Sequence, residues 1–198
     1  MRALVIYCHP NPKSFTAAVK DRVLAKLGEV GAEIRITDLY AEAFQPVLSR
    51  EELDGYLEPR PDTDPLAAHI EDIRWCDTLI FVYPTWWYGL PATLKGWMDR
   101  VLLPDVAFLM PDETHKAIRP ALKHITRLAV FTSGGASRWL IFVIGAPGRR
   151  TLFRGLGLLC AKPLKKCFHA HYEMDSSSPA SRAAHLDRVD QKMERFLA

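Results

Sequence analysis

Apolar and polar residues alternate along the chain in blocks whose period changes from strand-like to helix-like. A largely apolar run at 2–7 is followed by apolar residues at 15, 19, 23 and 27. The run predicts a buried strand, and the spacing of four predicts an amphipathic helix that ends near Gly28 and Gly31. Residues 33–39 then alternate between apolar and polar side chains, which predicts a second strand.

The same alternation continues toward the carboxyl terminus. Further strands are predicted at 78–83, 126–132 and 165–172, and further helices at 91–103, at 149–160 and after Ser178 and Pro179. Five strands that alternate with helices predict an α/β protein with a doubly wound parallel sheet. At 198 residues with 48% hydrophobic residues, the chain fits a single domain over 1–198.

Between the second and third strands the pattern predicts two helices. Ser49 and Glu52 match a capping box for a short one. A proline-rich stretch, Pro59 to Pro65, separates it from a helix that carries Leu66, Ile70 and Ile73 on one face.

Two later segments are less regular. Residues 104–122 contain three prolines and no clear period, and are interpreted as an excursion near the site rather than as core structure. Residues 139–144 form an apolar run that indicates buried packing or a dimer surface, because it is too short to span a membrane. Both segments are predicted to lie at or near the interface of a homodimer.

The charge and the cysteine content argue against some kinds of function and site. The formal charge is +3 with basic and acidic residues interspersed, so nucleic-acid binding has little electrostatic support. The four cysteines, Cys8, Cys76, Cys160 and Cys167, show neither CxxC nor zinc spacing and are predicted to be buried free thiols. The chain shows no basic segment before an apolar one at its start, so we expect a cytoplasmic protein.

The turn after the first strand favours binding of an anion. Pro10 and Pro12 end the strand, and Ser14 can cap the helix that follows. The N–H groups of the first helical turn have no partner within the helix. They are therefore predicted to hold a phosphate.

The turn after the third strand favours a flat aromatic ligand. Trp86, Trp87 and Tyr88 stand together in a predicted loop beside Gly89 and Pro91. The rings can be packing residues, but a loop offers no hydrophobic core that would account for them. We therefore interpret them as one wall of a binding site.

Three motifs carry a family resemblance. HPNPKSFT after the first strand, YPTWWYGLPATLKGWMDRV after the third and TSGG after the fourth resemble the flavodoxin-like NAD(P)H:quinone oxidoreductases. That family includes the bacterial quinone reductases that accompany potassium efflux systems. The resemblance implies a strand order of 2-1-3-4-5, a homodimer, and FMN or FAD bound at the carboxyl ends of the strands.

The resemblance also implies cofactor-binding positions in three groups. At the flavin phosphate and ribityl end these are His9, Ser14, Phe15 and Thr16, and along the isoalloxazine they are Thr85, Trp86, Trp87 and Tyr88. At the pyrimidine end, where negative charge grows as the flavin is reduced, they are Thr132, Ser133, Gly134 and Gly135. Glycines at that end let backbone N–H groups approach the ring closely.

The chain departs from the family at one point. In the animal quinone reductases a Tyr and a His after the double glycine are assigned to proton handling, whereas Trp139 and Pro147 stand near those places here. That proton relay is therefore not carried over, and no catalytic side chain is assigned.

The function implied by the resemblance is two-electron reduction of quinones or similar flat electrophiles by NAD(P)H, in a ping-pong reaction on one flavin. One phosphate seat and the lack of a second GxGxxG-type motif favour FMN, with FAD as the alternative. Two other functions stay open. An electron-carrier flavodoxin would be markedly acidic, unlike this chain, and a flavin-binding accessory or sensor subunit of a membrane transporter would keep the same motifs.

Two further sets of residues each allow two interpretations. Arg149, Arg150 and Arg154 are either a solvated helix face or a seat for a nucleotide phosphate. His169 and His171 alternate on the fifth predicted strand and so lie on one face, but no third metal ligand is evident.

Overall fold

A five-stranded parallel sheet forms the centre of the molecule in a computed structural model that describes residues 1–58 and 64–198. Its strands are β1 (Arg2–Tyr7), β2 (Glu33–Asp38), β3 (Thr78–Pro84), β6 (Arg127–Ser133) and β7 (Lys165–His171). They lie in the order β2-β1-β3-β6-β7, and all neighbouring pairs are parallel. The predicted doubly wound sheet and its strand order are therefore confirmed.

The helices lie between these strands in the chain, except the last, which follows β7. They are α1 (Phe15–Glu29), α2 (Arg50–Asp54), α3 (Ala67–Trp75), α4 (Ala92–Val101), α5 (Arg138–Ile144), α6 (Pro147–Arg150) and α7 (Pro179–Leu197). A π-helical turn over Thr151–Gly155 and a 3-10 turn over Leu156–Leu158 continue α6, in the segment predicted as a helix at 149–160. A second 3-10 turn, Met174–Ser176, precedes α7.

The alternation of side chains along β1 divides the core into two layers. Leu4, Ile6 and Cys8 face one layer, which includes buried residues of α3 and α4. Ala3, Val5 and Tyr7 face the other, which includes the buried faces of α1 and α7. Successive side chains of a strand point to opposite faces, so a continuously apolar strand such as β1 requires helices on both sides of the sheet.

The predicted helix caps are present. Ser14 and Ser178 accept hydrogen bonds from the first turns of α1 and α7. Ser49 and Glu52 form the reciprocal bonds of a capping box at α2. Of the proline-rich stretch from Pro59 to Pro65, residues 59–63 lie outside the described residues.

The interpretation of 104–122 as an excursion without core residues is wrong. The segment forms a short antiparallel hairpin of β4 (Phe108–Leu109) and β5 (Arg119–Pro120). Val106, Ala107 and Leu122 around it are buried in the layer that contains α3 and α4. Prolines break the regular period of such a segment without excluding its apolar residues from the core.

The apolar run at 139–144 forms most of α5, and its side chains are largely exposed. Trp139 is 71% exposed and Phe142 is 79% exposed. Burial within the chain is therefore the wrong interpretation, and the dimer surface stays a prediction.

All four cysteines are free and buried, as predicted. Burial raises the pKa of the Cys8 thiol to about 12, so the thiol beside the end of β1 stays protonated at neutral pH. Within the parts of the chain that the structure describes, no helix is both long enough and apolar enough to cross a membrane.

Candidate functional site

The carboxyl ends of the central strands meet along one edge of the sheet. Pro84 of β3 pairs with Ser133 of β6, which in turn pairs with His171 of β7. The residues that follow these strands, together with the turn after β1, therefore lie side by side. In doubly wound sheets this edge is where ligands bind.

The turn after β1 presents free donors. Ser14 Oγ accepts a hydrogen bond from the Ala17 N–H at 3.1 Å. The N–H groups of Phe15 and Thr16, at the start of the 15-residue helix α1, donate no hydrogen bond to another described residue. These donors and the positive end of the helix suit a phosphate group.

His9 and Phe15 have different surroundings. The backbone of Asn11 holds the His9 ring through Nδ1, at 3.0 Å from the Asn11 nitrogen and 3.1 Å from its oxygen. The His9 ring centre lies 6.4 Å from that of Trp86, and burial lowers the pKa of His9. The Phe15 ring instead packs against His171 and His185, at 5.3 Å and 5.5 Å. Phe15 therefore offers the site its backbone rather than its ring.

The turn after β3 is strained and exposed. The Gly89 N–H donates to the Trp86 carbonyl at 3.0 Å, which closes the turn. Between them, Trp87 and Tyr88 have φ angles of 46° and 61°, the left-handed region that side chains disfavour. Trp87 is 95% exposed. Strained backbone of this kind costs about 1–3 kcal/mol per residue and is concentrated at functional sites.

The loop after β6 faces this turn. The Thr85 N–H donates to the Ser133 carbonyl at 2.6 Å, and the hydroxyls of Thr85 and Thr132 lie 2.9 Å apart. These bonds fix the two loops relative to each other. Thr132 and Ser133 belong to β6 itself, whereas Gly134 and Gly135 begin the loop. The N–H groups of Gly135 and Ala136 donate to no other described residue, which leaves them available to a ligand.

Gly135 also lies close to a neighbour that the motifs did not reveal. A Cβ atom at Gly135 would overlap a carboxylate oxygen of Asp175, in the 3-10 turn before α7. Asp175 lies forty residues from the glycine in sequence and has no motif around it, so no sequence signal pointed to it. Its position places a carboxylate at the glycine end of the site.

A cavity of about 300 Å³ lies between the two loops. It is lined by Thr85, Trp87, Tyr88, Gly134, Gly135, Ala136 and Ile141. One wall is aromatic and the other is largely backbone, which suits a flat aromatic ring with hydrogen-bonding groups along one edge. The free donors at the start of α1, the exposed Trp87 and the bare glycine loop together fit a flavin.

Three histidines pack between β7 and α7 beside the site. The rings of His169 and His185 stack at 4.2 Å, and His171 meets His185 at 4.9 Å. The third imidazole that the sequence did not reveal is therefore His185. Among the described residues, however, no group of three or more side chains has a geometry that could hold a metal ion. Burial, followed by neighbouring charges, lowers the pKa of His185 to about 3 and that of His169 to about 4.

Comparison with known proteins agrees with this geometry. Over 152 residues the chain is 30% identical to rat ribosyldihydronicotinamide dehydrogenase (quinone), covering 69% of this chain and 64% of the relative. It is 31% identical over 155 residues to rat NAD(P)H dehydrogenase (quinone) 1, covering 70% and 56%. The aligned part thus spans less than two thirds of either relative.

A solved structure matches over the full length. The NAD(P)H:quinone oxidoreductase of Methanothermobacter marburgensis superposes with a TM-score of 0.81 at 26% identity, covering 100% of this chain and 99% of that one. The sequence model of the flavodoxin-like fold family matches residues 1–193. On the evidence of this match, of the strand order and of the loops at the carboxyl edge, the chain belongs to the flavodoxin-like fold family.

Proposed function

We propose that this chain is a flavin-dependent oxidoreductase that uses NAD(P)H to reduce quinones or similar flat electrophiles by two electrons. The observation that carries the proposal is the pair of left-handed aromatic residues, Trp87 and Tyr88, which face a glycine loop across a cavity of about 300 Å³. The matched relatives named as quinone reductases support the same activity.

The cofactor we propose is FMN. The unpaired N–H groups of Phe15 and Thr16 can hold one phosphate, and His9 lies in the same turn, toward Trp86. Trp86, Trp87 and Tyr88 would contact the ring, and the free N–H groups of Gly135 and Ala136 would face its pyrimidine edge. One phosphate site at the start of α1 matches FMN, whereas the pyrophosphate of FAD would need donors for a second phosphate directly beside it.

A bound flavin supplies the electron-transfer chemistry of the reaction. The residues of the chain orient the reactants and set the electrostatics. Oriented N–H groups at Gly135 and Ala136 favour negative charge at the edge they face, because fixed dipoles need no reorganisation during the reaction. The nearby carboxylate of Asp175 disfavours negative charge at that edge. The electrostatic potential at the ring edge is therefore set by the N–H groups and the carboxylate together.

A flavin seated in this cavity would offer its exposed ring face to one flat reactant at a time. Nicotinamide and acceptor would therefore occupy the same place in turn, and the kinetics would be ping-pong. Steady-state assays with NADPH or NADH and menadione should give parallel double-reciprocal plots. Intersecting plots would contradict a shared site, and flavin binding without turnover would favour the transporter sensor.

The decisive experiment identifies the cofactor. Purified protein should be yellow, and denaturation should release a flavin whose mass is that of FMN. Release of FAD would show that the cofactor is FAD rather than FMN and would leave the proposed activity unchanged. A colourless protein that takes up neither added FMN nor added FAD would overturn the proposed function.

A further inference from the structure

A second, larger cleft lies beside the proposed flavin site. Its volume is about 610 Å³. Four cationic side chains line it: Arg149 and Arg150 from α6, Arg154 from the π-helical turn and Lys166 from β7. Three come from the continuous helical segment of α6 and the π-helical turn, and Lys166 comes from the strand beside it, so the cleft lies between a helix and β7.

These cations have no acidic partner among the described residues. Arg35 and Arg100 pair with carboxylates, whereas none of the four forms an ion pair with a described acidic residue. Arg149 instead lies over the ring of Phe168, with 4.8 Å between the guanidinium carbon and the ring centre. The cleft therefore carries positive charge that nothing among the described residues neutralises.

The remaining wall of the cleft is aromatic. Phe142, Phe153 and Phe168 line it together with the backbone of Gly145 and Ala146. Phe142 is 79% exposed and offers a free ring face. A ligand that suits this wall and the four cations has both a planar ring and more than one negative charge.

The cleft adjoins the candidate flavin site. Ala146, Arg149 and Phe168 also line a narrow cavity of about 30 Å³. That cavity shares Thr85 and Gly134 with the flavin cavity described above. The cleft and the candidate flavin site are therefore neighbours, with this narrow cavity between them.

We propose that this cleft binds the phosphorylated adenosine end of NADPH and makes the enzyme prefer NADPH to NADH. The inference rests on the proposed function, since it assigns the second half of the reductant whose nicotinamide would stand at the flavin. Guanidinium groups bind phosphate oxygens in pairs of parallel hydrogen bonds, and phenylalanine rings stack on adenine. NADPH differs from NADH by an extra phosphate on the ribose of its adenosine. The unpaired arginines would bind this phosphate and so distinguish the two.

The test uses adenosine 2′,5′-bisphosphate, which carries the distinguishing phosphate but no nicotinamide. Calorimetric titration of the purified holoprotein should show binding of this compound and at least tenfold weaker binding of adenosine. Arg150→Glu should weaken bisphosphate binding at least tenfold and raise the KM for NADPH by a similar factor. The KM for NADH should change much less, and kcat should stay the same.

The matched control is Arg195→Glu, which makes the same charge change at an exposed arginine near the end of α7. It should leave bisphosphate binding unchanged. Equal losses in the two variants, or equal affinity of the parent for adenosine and the bisphosphate, would overturn the proposal. So would an effect of Arg150→Glu confined to the KM of an anionic quinone, because the cleft would then serve the acceptor.

Arg154→Glu provides a second variant if Arg150→Glu does not fold. Failure of the proposed function is recognised separately, because bisphosphate binding needs neither flavin nor turnover. If the protein binds the bisphosphate through Arg150 but oxidises no NADPH, the proposal for the cleft stands and the proposed enzyme activity is rejected. If the protein reduces quinones with equal KM values for NADH and NADPH, the proposed activity stands and the proposed role of the cleft is rejected.

Discussion

The carbonyl of His171 accepts a hydrogen bond from the N–H of Gly134 at 2.9 Å, which ties the glycine loop to the end of β7. The N–H of Met174 donates back to the Gly134 carbonyl at 3.0 Å. The loop that would face the flavin is thus held by the segment between β7 and α7. Mutations in that segment can therefore change the position of the glycine loop without removing a direct contact with a ligand.

Gly135→Val should weaken flavin binding by at least about 1–3 kcal/mol, the range for overpacking a filled site. The side chain would enter the space between Asp175 and the cavity, while an exposed loop can adjust without unfolding the chain. Fluorescence titration of the apoprotein with FMN measures the loss.

The double variant Gly135→Val, Asp175→Ala separates the two neighbours of the glycine. Removing the carboxylate relieves its overlap with the new side chain. We expect flavin binding to stay weak in the double variant. Recovery of the parent affinity would mean that the glycine serves only to make room for Asp175.

Trp87→Gly should leave the apoprotein as stable as the parent or stabilise it by about 1 kcal/mol. The left-handed φ of Trp87 costs a glycine nothing, and a side chain that is 95% exposed loses no packing. Flavin or acceptor binding should fall at the same time, because the ring forms one wall of the cavity. Urea unfolding and FMN titration measure the two effects.

Trp139→Phe is the matched aromatic control, at an exposed position on α5. It should leave flavin affinity nearly unchanged, because Trp139 lines neither the flavin cavity nor the cleft beside it. A Trp87→Gly protein that is clearly destabilised and still binds flavin normally would show that the turn is structural.

The buried histidines should make stability fall in acid. The unfolded-state pKa of a histidine is about 6.5, whereas burial lowers the folded-state pKa of His185 to about 3 and that of His169 to about 4. Between these values the unfolded chain binds more protons, so the free energy of unfolding decreases as the pH falls from 6.5 toward 4. Each extra proton contributes up to about 1.4 kcal/mol per pH unit.

His185→Phe should make this decline shallower, since phenylalanine takes up no proton and keeps the ring contact with Phe15. Chemical unfolding at pH 7, 6, 5 and 4 measures the slope. An unchanged slope in His185→Phe would show that this ring does not cause the acid sensitivity.

The protein should sediment as a homodimer at micromolar concentration, with α5 in the interface. Trp139 and Val143 expose apolar side chains one turn apart on this short helix, and a patch of that kind usually marks an interaction surface. Val143→Glu should shift the protein toward monomer. Val47→Glu, at another exposed valine, should not. A parent that is already monomeric and fully active would reject the dimer.

The fold was largely predictable because its signals are local. An apolar run such as 2–7 and a spacing of four such as Val19 and Val23 depend only on neighbouring positions. The segment at 104–122 was misjudged for the opposite reason. Val106 and Leu122 are buried through tertiary contacts that no local period records.

The site was predictable where a motif marks a strand end. The structure brings together the turn with Ser14, the turn with Trp87 and the loop with Gly134 at one edge of the sheet. Asp175 and His185 were not predictable, because they reach the neighbourhood of the site through the packing of α7 and the turn before it. The direction of the Phe15 ring depends on the same packing.

The position of β7 at the border of the sheet has a consequence for how the protein avoids aggregation. A border strand presents unpaired backbone groups that can recruit a strand from another molecule. β7 begins with Lys165 and Lys166, both exposed, and stacking like charges against a second copy of the strand is unfavourable. Replacing both lysines by threonine would remove this repulsion and favour edge-to-edge association. The charge at this border therefore also opposes aggregation of the folded chain in a crowded solution.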